Sequence, residues 1–453
     1  MKVSFKKSLK LLGVGISPFS RLGPQQWFDD YKIAAYYGWD IADQGAPAVE
    51  SLASLGIELP RLNSQSLLNN ANFQQQLVDE YKDHHVLTYK PLGLKIPPPL
   101  QKATFKLLGT NLSCPFYENK ALFRQEFGKL LPFPPFKIKR LSEIGSLADI
   151  QSSSEPLILQ HETMSGGRGT FLINQESDLN EALGVFRLNR PKNPKIVISQ
   201  YIDSAAERSL QCCVTKYDTL IGPVQKQIVN APELLNPQNL ATEKFTGAEI
   251  SYGLGMEPLH KEMTKLAKVV GDKLASTGYH GIFGLDFLVD KAGHLYLLEI
   301  NQRLTGVTPL LTMLYRPTQD IPFLLLHILE LSGLDYTIDD FSVDLVPAQG
   351  SLMIFHSLST NTGLIKKTPS SGIYSFQSNE LSFIKSGYQL SREENQLLVQ
   401  RIVPLGTKIK PGSKIAALYS RQSVLDHRDS LAPAKSLIDA LYNQFDIQPA
   451  HID

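Results

Sequence analysis

The stretch GLDFLVDKAGHLYLLEINQR, residues 284–303, decides the fold. Two apolar runs, Gly284 to Val289 and Leu295 to Ile300, flank Lys291 to His294, a connection of hairpin length. Strand alternation puts Asp286, Leu288 and Asp290 on one face of the first strand. It puts Leu295, Leu297, Glu299, Asn301 and Arg303 on one face of the second. The register then sets Asp286 opposite Glu299, close enough for both carboxylates to share a cation. An acid in an otherwise apolar strand is costly unless paired or coordinated, which argues against a pair that simply meets solvent. Two carboxylates and an amide oxygen are hard donors of the kind that hold Mg²⁺ alongside nucleotide phosphates. Asp286, Glu299 and Asn301 are therefore the expected metal ligands, although Asn301 would also serve as a turn cap. Arg303 is placed to stabilise charge on a transferred phosphoryl group.

Upstream, SGGRGT (165–170) sits between strand-like Leu157 to Gln160 and Phe171 to Ile173. Walker and Rossmann loops lead into a helix N-terminus, so neither reading applies. Gly166, Gly167 and Gly169 instead allow backbone N–H groups to approach a polyphosphate, with Arg168 adding charge. Taken alone, the segment reads more readily as an ordinary turn.

The 453 residues carry 45 Lys plus Arg against 44 Asp plus Glu, a net charge of +1. That balance gives no overall field for gripping nucleic acid or a membrane surface, and neither is an expected partner. Cys114, Cys212 and Cys213 form neither a disulfide framework nor a zinc site, and a reducing compartment fits. Alternation points one of the neighbours Cys212 and Cys213 inward as a small hydrophobe. The apolar run after Lys10 is short for a secretory segment, and Ile321 to Leu331 is interrupted by Pro322 and His327; the expected location is cytoplasmic. His161, His280, His294 and His356 are scattered and read as structural.

Three units are expected: 1–110, 111–338 and 339–453. The first ends after the break at Pro97, Pro98 and Pro99. In the second, Phe116 to Leu131 reads as a helix stopped by Pro132, Pro134 and Pro135. Leu179 to Leu188 reads as another, Ile196 to Ile202 as a strand, and Leu259 to Leu274 as an amphipathic helix closed by Gly278. The third is rich in strands and turns.

The order of SGGRGT, GLDFLVD and LLEINQRLTG resembles that of the ATP-grasp family over roughly residues 110 to 335. The resemblance implies an α+β (α/β) ATP-grasp fold, with a pre-ATP-grasp α/β domain before the core and a β-rich domain after it. It implies ATP lying between two α+β subdomains, the glycine loop over its phosphates, and Mg²⁺ (or Mn²⁺) on Asp286, Glu299 and Asn301. Arg303 and Glu299 match the family's catalytic positions, and Lys120 resembles a nucleotide-contacting lysine. Gln200, Tyr201 and Ile202 resemble the hinge that meets adenine, and Glu207 the acid at the ribose. Gln160 stands where the family commonly has lysine. Lys137, Lys139 or Lys226 are candidates to compensate.

The activity implied is ligation of a small-molecule carboxylate to an amine, such as an amino acid or peptide, through an acyl-phosphate, with a homodimer as an option. The layout also resembles biotin carboxylase, but the run after Asn301, Gln302 to Pro309, is not that family's bicarbonate-binding run, which favours an amine acceptor. Peptide ligases with a pre-ATP-grasp domain are a more diffuse likeness. The alternatives are carboxylation, small-molecule phosphorylation, or a catalytically silent nucleotide-binding protein, for which Gln160 is the motivating residue.

Overall fold

The structure, a computed structural model, describes residues 2–6, 9–41, 46–57, 59, 64–89, 106–110, 114–151, 155–164, 166–189, 191–239, 244–251, 257–315, 323–339 and 348–450. The Pro97–Pro99 break and Ser165 of the glycine segment lie outside them.

Near the N-terminus, Leu11–Gly15, Tyr31–Ala35, Ala48–Ser51 and His85–Leu87 form a four-stranded parallel sheet. Leu11–Gly15 lies between Tyr31–Ala35 on one side and His85–Leu87 on the other. Such near-continuous apolar strands suit a parallel sheet buried on both faces, and Leu11, Leu12 and Val14 are fully buried.

Two further sheets build the centre. Phe136–Arg140, Lys195–Gln200, Leu157–His161 and Thr170–Ile173 make a small antiparallel sheet in that order, backed by the helix Glu176–Leu188. Among the described residues the larger sheet has eleven strands. It begins at Leu295–Asn301, passes through Gly281–Asp290, Ser204–Val214, Gln225–Val229 and Phe245–Ser251, and continues without a break into Gln349–His356 and the C-terminal strands. Its first strands pack one face on the helices Lys120–Phe127 and Glu257–Ser276, through Leu285, Phe287, Leu297, Phe123, Phe127 and Met263. Both faces are covered, so Cys212 and Cys213 are both buried, on opposite sides, where alternation alone had turned only one inward.

The helix expected over Phe116 to Leu131 is shorter, Lys120–Phe127. Asn119 caps it, its side-chain oxygen accepting from Leu122 N at 3.0 Å, which satisfies one of the donors a helix start leaves open. Gly128 follows the last helical residue. Among the described residues no helix is long and apolar enough to cross a membrane.

Candidate functional site

The hairpin at 281–301 has the carboxylates side by side, by a route that alternation does not foresee. From the turn, Val289 pairs with Leu295, Leu288 with Tyr296 and Phe287 with Leu297; then the register shifts and Asp286 pairs with Glu299. The residue left over is Leu298, a β-bulge. It reverses the phase of the second strand. Leu295 and Leu297 face the helix-packed core, and so does Ile300, whereas Glu299 and Asn301 face the other way, towards Asp286. The expectation that Leu295, Leu297, Glu299 and Asn301 share one face is thus corrected. Without the bulge, the pairing set at the turn would put Leu298 opposite Asp286 and turn Glu299 into the core.

Asp286 is held at both oxygens: Gln227 donates to Oδ1 (2.6 Å) and the Asn301 amide to Oδ2 (2.8 Å). Burial is the main influence on its carboxyl, with Glu299 beside it the next, and together they push Asp286 up to about 8. Burial also opposes ionisation of Glu299, but Lys120 and Arg303 outweigh it and hold that carboxyl below its usual range. Of the pair, Asp286 is therefore the member that burial and its neighbour drive towards the protonated form, and Glu299 the member held ionised.

Lys120 is the residue that joins this pair to the glycine hairpin. Its Nζ stands 3.4 Å from Glu299 Oε2 and donates to Met164 O at 3.1 Å, at the entry to the turn. In the turn itself Gly166 and Gly167 adopt φ of +69° and +72°, left-handed values open to glycine at no steric cost. Arg168 is exposed and Gly169 buried; a Cβ on Gly169 would come within 2.5 Å of the Met164 side chain. Gln160 lies in the strand below the turn, 3.4 Å from Thr170 Oγ1.

Arg303 pairs with Glu118 at 2.9 Å, donates to Asn301 Oδ1, and lies 5.5 Å from the centre of the Tyr89 ring. Burial weakens its charge, but Glu118 more than compensates, and its pKa is raised. Of the other lysines considered as compensators, Lys226 is engaged elsewhere, 3.0 Å from Asp429. It alternates with Gln225 and Gln227 and so projects from the opposite face of the sheet. Lys137 and Lys139 lie in Phe136–Arg140, at the edge of the small sheet away from the glycine turn.

Gln200 ends its strand, and Tyr201 and Ile202 lead into Ser204–Val214. The N–H groups of Gln200 and Tyr201 donate to Pro135 O and Pro156 O. Glu207 pairs with Leu288, two residues along from Ser209, the partner of Asp286, and on the same face.

Several contributors carry no sequence signature. Gln302, fully buried, accepts from Tyr117 N and donates to Pro115 O. Asn119 donates to Glu162 Oε2 at 3.0 Å. The segment Pro115–Lys120 therefore touches Gln302, Arg303, Glu299, Glu162 and Met164, tying the late hairpin to the glycine turn. Lys120 alone was legible there. Gln227 was open to discovery, since alternation in VQKQIV puts Gln225 and Gln227 together.

Among the described residues no group of three or more His, Cys, Asp and Glu side chains gathers as a metal cluster. A hard cation held by two carboxylates, with remaining ligands from phosphate and water, fits that count.

Residues 117–307 match the family described as "ATP-grasp domain". A [butirosin acyl-carrier protein]–L-glutamate ligase from Niallia circulans is 24% identical over 183 residues, 40% of this chain and 41% of that protein. The chain thus spans about two fifths of the length of that curated relative. Among solved structures, biotin carboxylase from Campylobacter jejuni, in complex with a β-γ-ATP ligand, aligns with a TM-score of 0.62 at 14% identity, covering 98% of this chain and 92% of that one. N5-carboxyaminoimidazole synthetase from Staphylococcus aureus, complexed with ADP, aligns at 0.54 and 14% identity, covering 92% and 94%. At these identities the likeness is one of fold.

Proposed function

We propose that this chain, whose residues 117–307 match the ATP-grasp domain, is an ATP-grasp enzyme: an ATP- and Mg²⁺-dependent ligase that joins a carboxylate to an amine. The reaction runs through an acyl-phosphate and releases ADP and phosphate. The observation that carries this reading is the cross-strand pair Asp286 and Glu299, linked through one lysine, Lys120, to the glycine turn. It puts a cation site and a phosphate-covering loop within reach of a single side chain.

In this reading Asp286 and Glu299 hold Mg²⁺, with Asn301 beside them. Bound there, the ion neutralises charge on the phosphates and on the phosphoryl group in transfer. Lys120, placed to contact both Glu299 and the turn, replaces the charge that Gln160 lacks. Gly166, Gly167 and Gly169 let main-chain N–H groups close over the phosphates without side-chain obstruction. At the hinge the N–H groups of Gln200 and Tyr201 are already used, so an adenine ring nitrogen accepts from the main chain of Ile202, and the adenine amino group donates to carbonyl oxygens. Glu207 takes the ribose. Arg303 stabilises the carboxylate as it is phosphorylated, an anion competing for it with Glu118. No side-chain nucleophile is required, because the phosphoryl group itself supplies the leaving group.

The similarity to a ligase named for L-glutamate and an acyl-carrier protein supports an amino acid among the substrates. The test is release of ADP and of phosphate from ATP with pools of amino acids and carboxylates. Both products are expected in equal amount, and Glu299→Gln is expected to abolish turnover with the fold intact. ADP without phosphate would indicate a kinase, and normal rates in the variant would refute the assignment.

A further inference from the structure

The site exists only because Leu298 bulges out of register, and a bulge costs a ladder hydrogen bond that something must replace. The replacement comes from one helix and the loop after it. Arg124 Nη1 donates to Leu298 O at 2.6 Å, and Leu297 N donates to Pro132 O at 2.8 Å. Both contacts fall on the residues between which the register changes.

Arg124 is an unusual group to find there. It is 1% exposed, its Nε has no hydrogen-bond partner among the described residues, and Phe133 lies 4.2 Å from its guanidinium carbon with Phe136 at 5.7 Å. Burial draws its pKa down to about 9, with Glu299 partly opposing the fall; it stays charged at neutral pH. Burying a guanidinium without a paired carboxylate is expensive, and the aromatic faces offset only part of that. A leucine would fill such a position at less cost unless the bond to Leu298 O matters. Arg124 also lies one helical turn after Lys120, on the same side of the helix. One helix thus grips the bulge backbone and, four residues earlier, contacts the carboxylate which that bulge turns outward.

We infer that Arg124 is a positioning residue: by holding the Leu298 carbonyl it maintains the bulge that aims Glu299 at Asp286 and makes the cation site. The inference rests on the proposed Mg²⁺ role of the pair, and its test reads the metal-free protein as well.

The experiment compares wild type with Arg124→Met and Arg124→Lys in the full chain. Hydrogen exchange of the peptide covering 295–303 is measured without ligand, Mn²⁺ binding is measured by electron paramagnetic resonance, and metal-free ADP binding is measured separately. In Arg124→Met, exchange at 295–303 is expected to quicken relative to Gln349–His356. Mn²⁺ affinity is expected to fall about 10- to 100-fold, the usual range for residues that orient a ligand, while metal-free ADP affinity is unchanged. Arg124→Lys, which can still donate one bond, is expected to recover part of the loss, and it serves as the test variant should Arg124→Met not fold. Wild-type exchange at 295–303 together with wild-type Mn²⁺ affinity would overturn the inference. So would equal losses of Mn²⁺ and metal-free ADP affinity, the pattern of general destabilisation. If wild type binds neither Mn²⁺ nor nucleotide, the proposed function fails, and the exchange comparison alone then decides the role of Arg124.

Discussion

Metal affinity at the carboxylate pair should depend on pH in a way that follows from the single proton it holds. Asp286 sits at about 8 because burial, reinforced by Glu299, disfavours a second negative charge. A cation needs both carboxylates ionised, so binding must expel that proton. Below pH 8 the apparent affinity should therefore fall about tenfold per pH unit, reaching about 100-fold weaker at pH 6 than on the plateau above 9. Titration calorimetry with Mn²⁺ in buffers of different ionisation enthalpy counts the protons released, and close to one per ion is expected at pH 7. The same shift bears on stability. A carboxyl raised above its unfolded value of about 3.9 contributes stability that is fully present below about pH 4, declines steadily as pH rises from there, and is gone once pH has passed through about 8. The metal-free protein should lose stability across that window, and the stabilisation conferred by Mg²⁺ should grow across it. Asp286→Asn should remove this part of the pH dependence of stability and weaken metal binding at every pH. Flat Mn²⁺ affinity between pH 6 and 8, with no proton released, would show that the pair is not a shared cation site.

Two further outcomes test other parts of the structure. Replacing Gly166 and Gly167 together by alanine should weaken ATP binding about 30-fold or more, since left-handed backbone costs an L-residue roughly 1–2 kcal/mol, about 2–4 kcal/mol for the two. A Cβ at Gly166 meets nothing within 4 Å, so crowding by the protein would not account for the loss there. A fluorescent nucleotide analogue reads it, Gly184→Ala in an exposed part of a helix is the control, and unchanged affinity would place the phosphates elsewhere. Glu249→Ala should destabilise the protein by about 3 kcal/mol in denaturant unfolding, because this buried carboxylate accepts from Ser423 Oγ, Val424 N and Leu425 N at 2.7–2.9 Å. A loss below about 1 kcal/mol would mean that those donors find other partners.

What was legible in the sequence was chemistry of short range. Carboxylates inside apolar strands, glycines between two strands and a lysine ahead of a proline stop are each visible within about twenty residues, and their order along the chain points to the fold. What was hidden depends on residues far apart: Gln302 meets Tyr117 across 185 positions and Arg124 meets Leu298 across 174. No local pattern encodes such contacts. The bulge shows why the distinction matters. Strict alternation with a four-residue turn pairs Asp286 with Glu299, and so does the structure, but for a different reason: the turn pairing is one residue out, and Leu298 restores it. The agreement in register therefore conceals two departures that cancel, and they cancel only where Arg124 and Pro132 hold the extra residue in place. A leucine in LYLLEIN carries no sign that it will be the one expelled from the ladder. The sign lies in a buried arginine 174 positions earlier, which reads from sequence as an ordinary charged residue of an amphipathic helix. Chemical identity at this site is thus written locally in Asp286 and Glu299, whereas their alignment is written in the helix that precedes them.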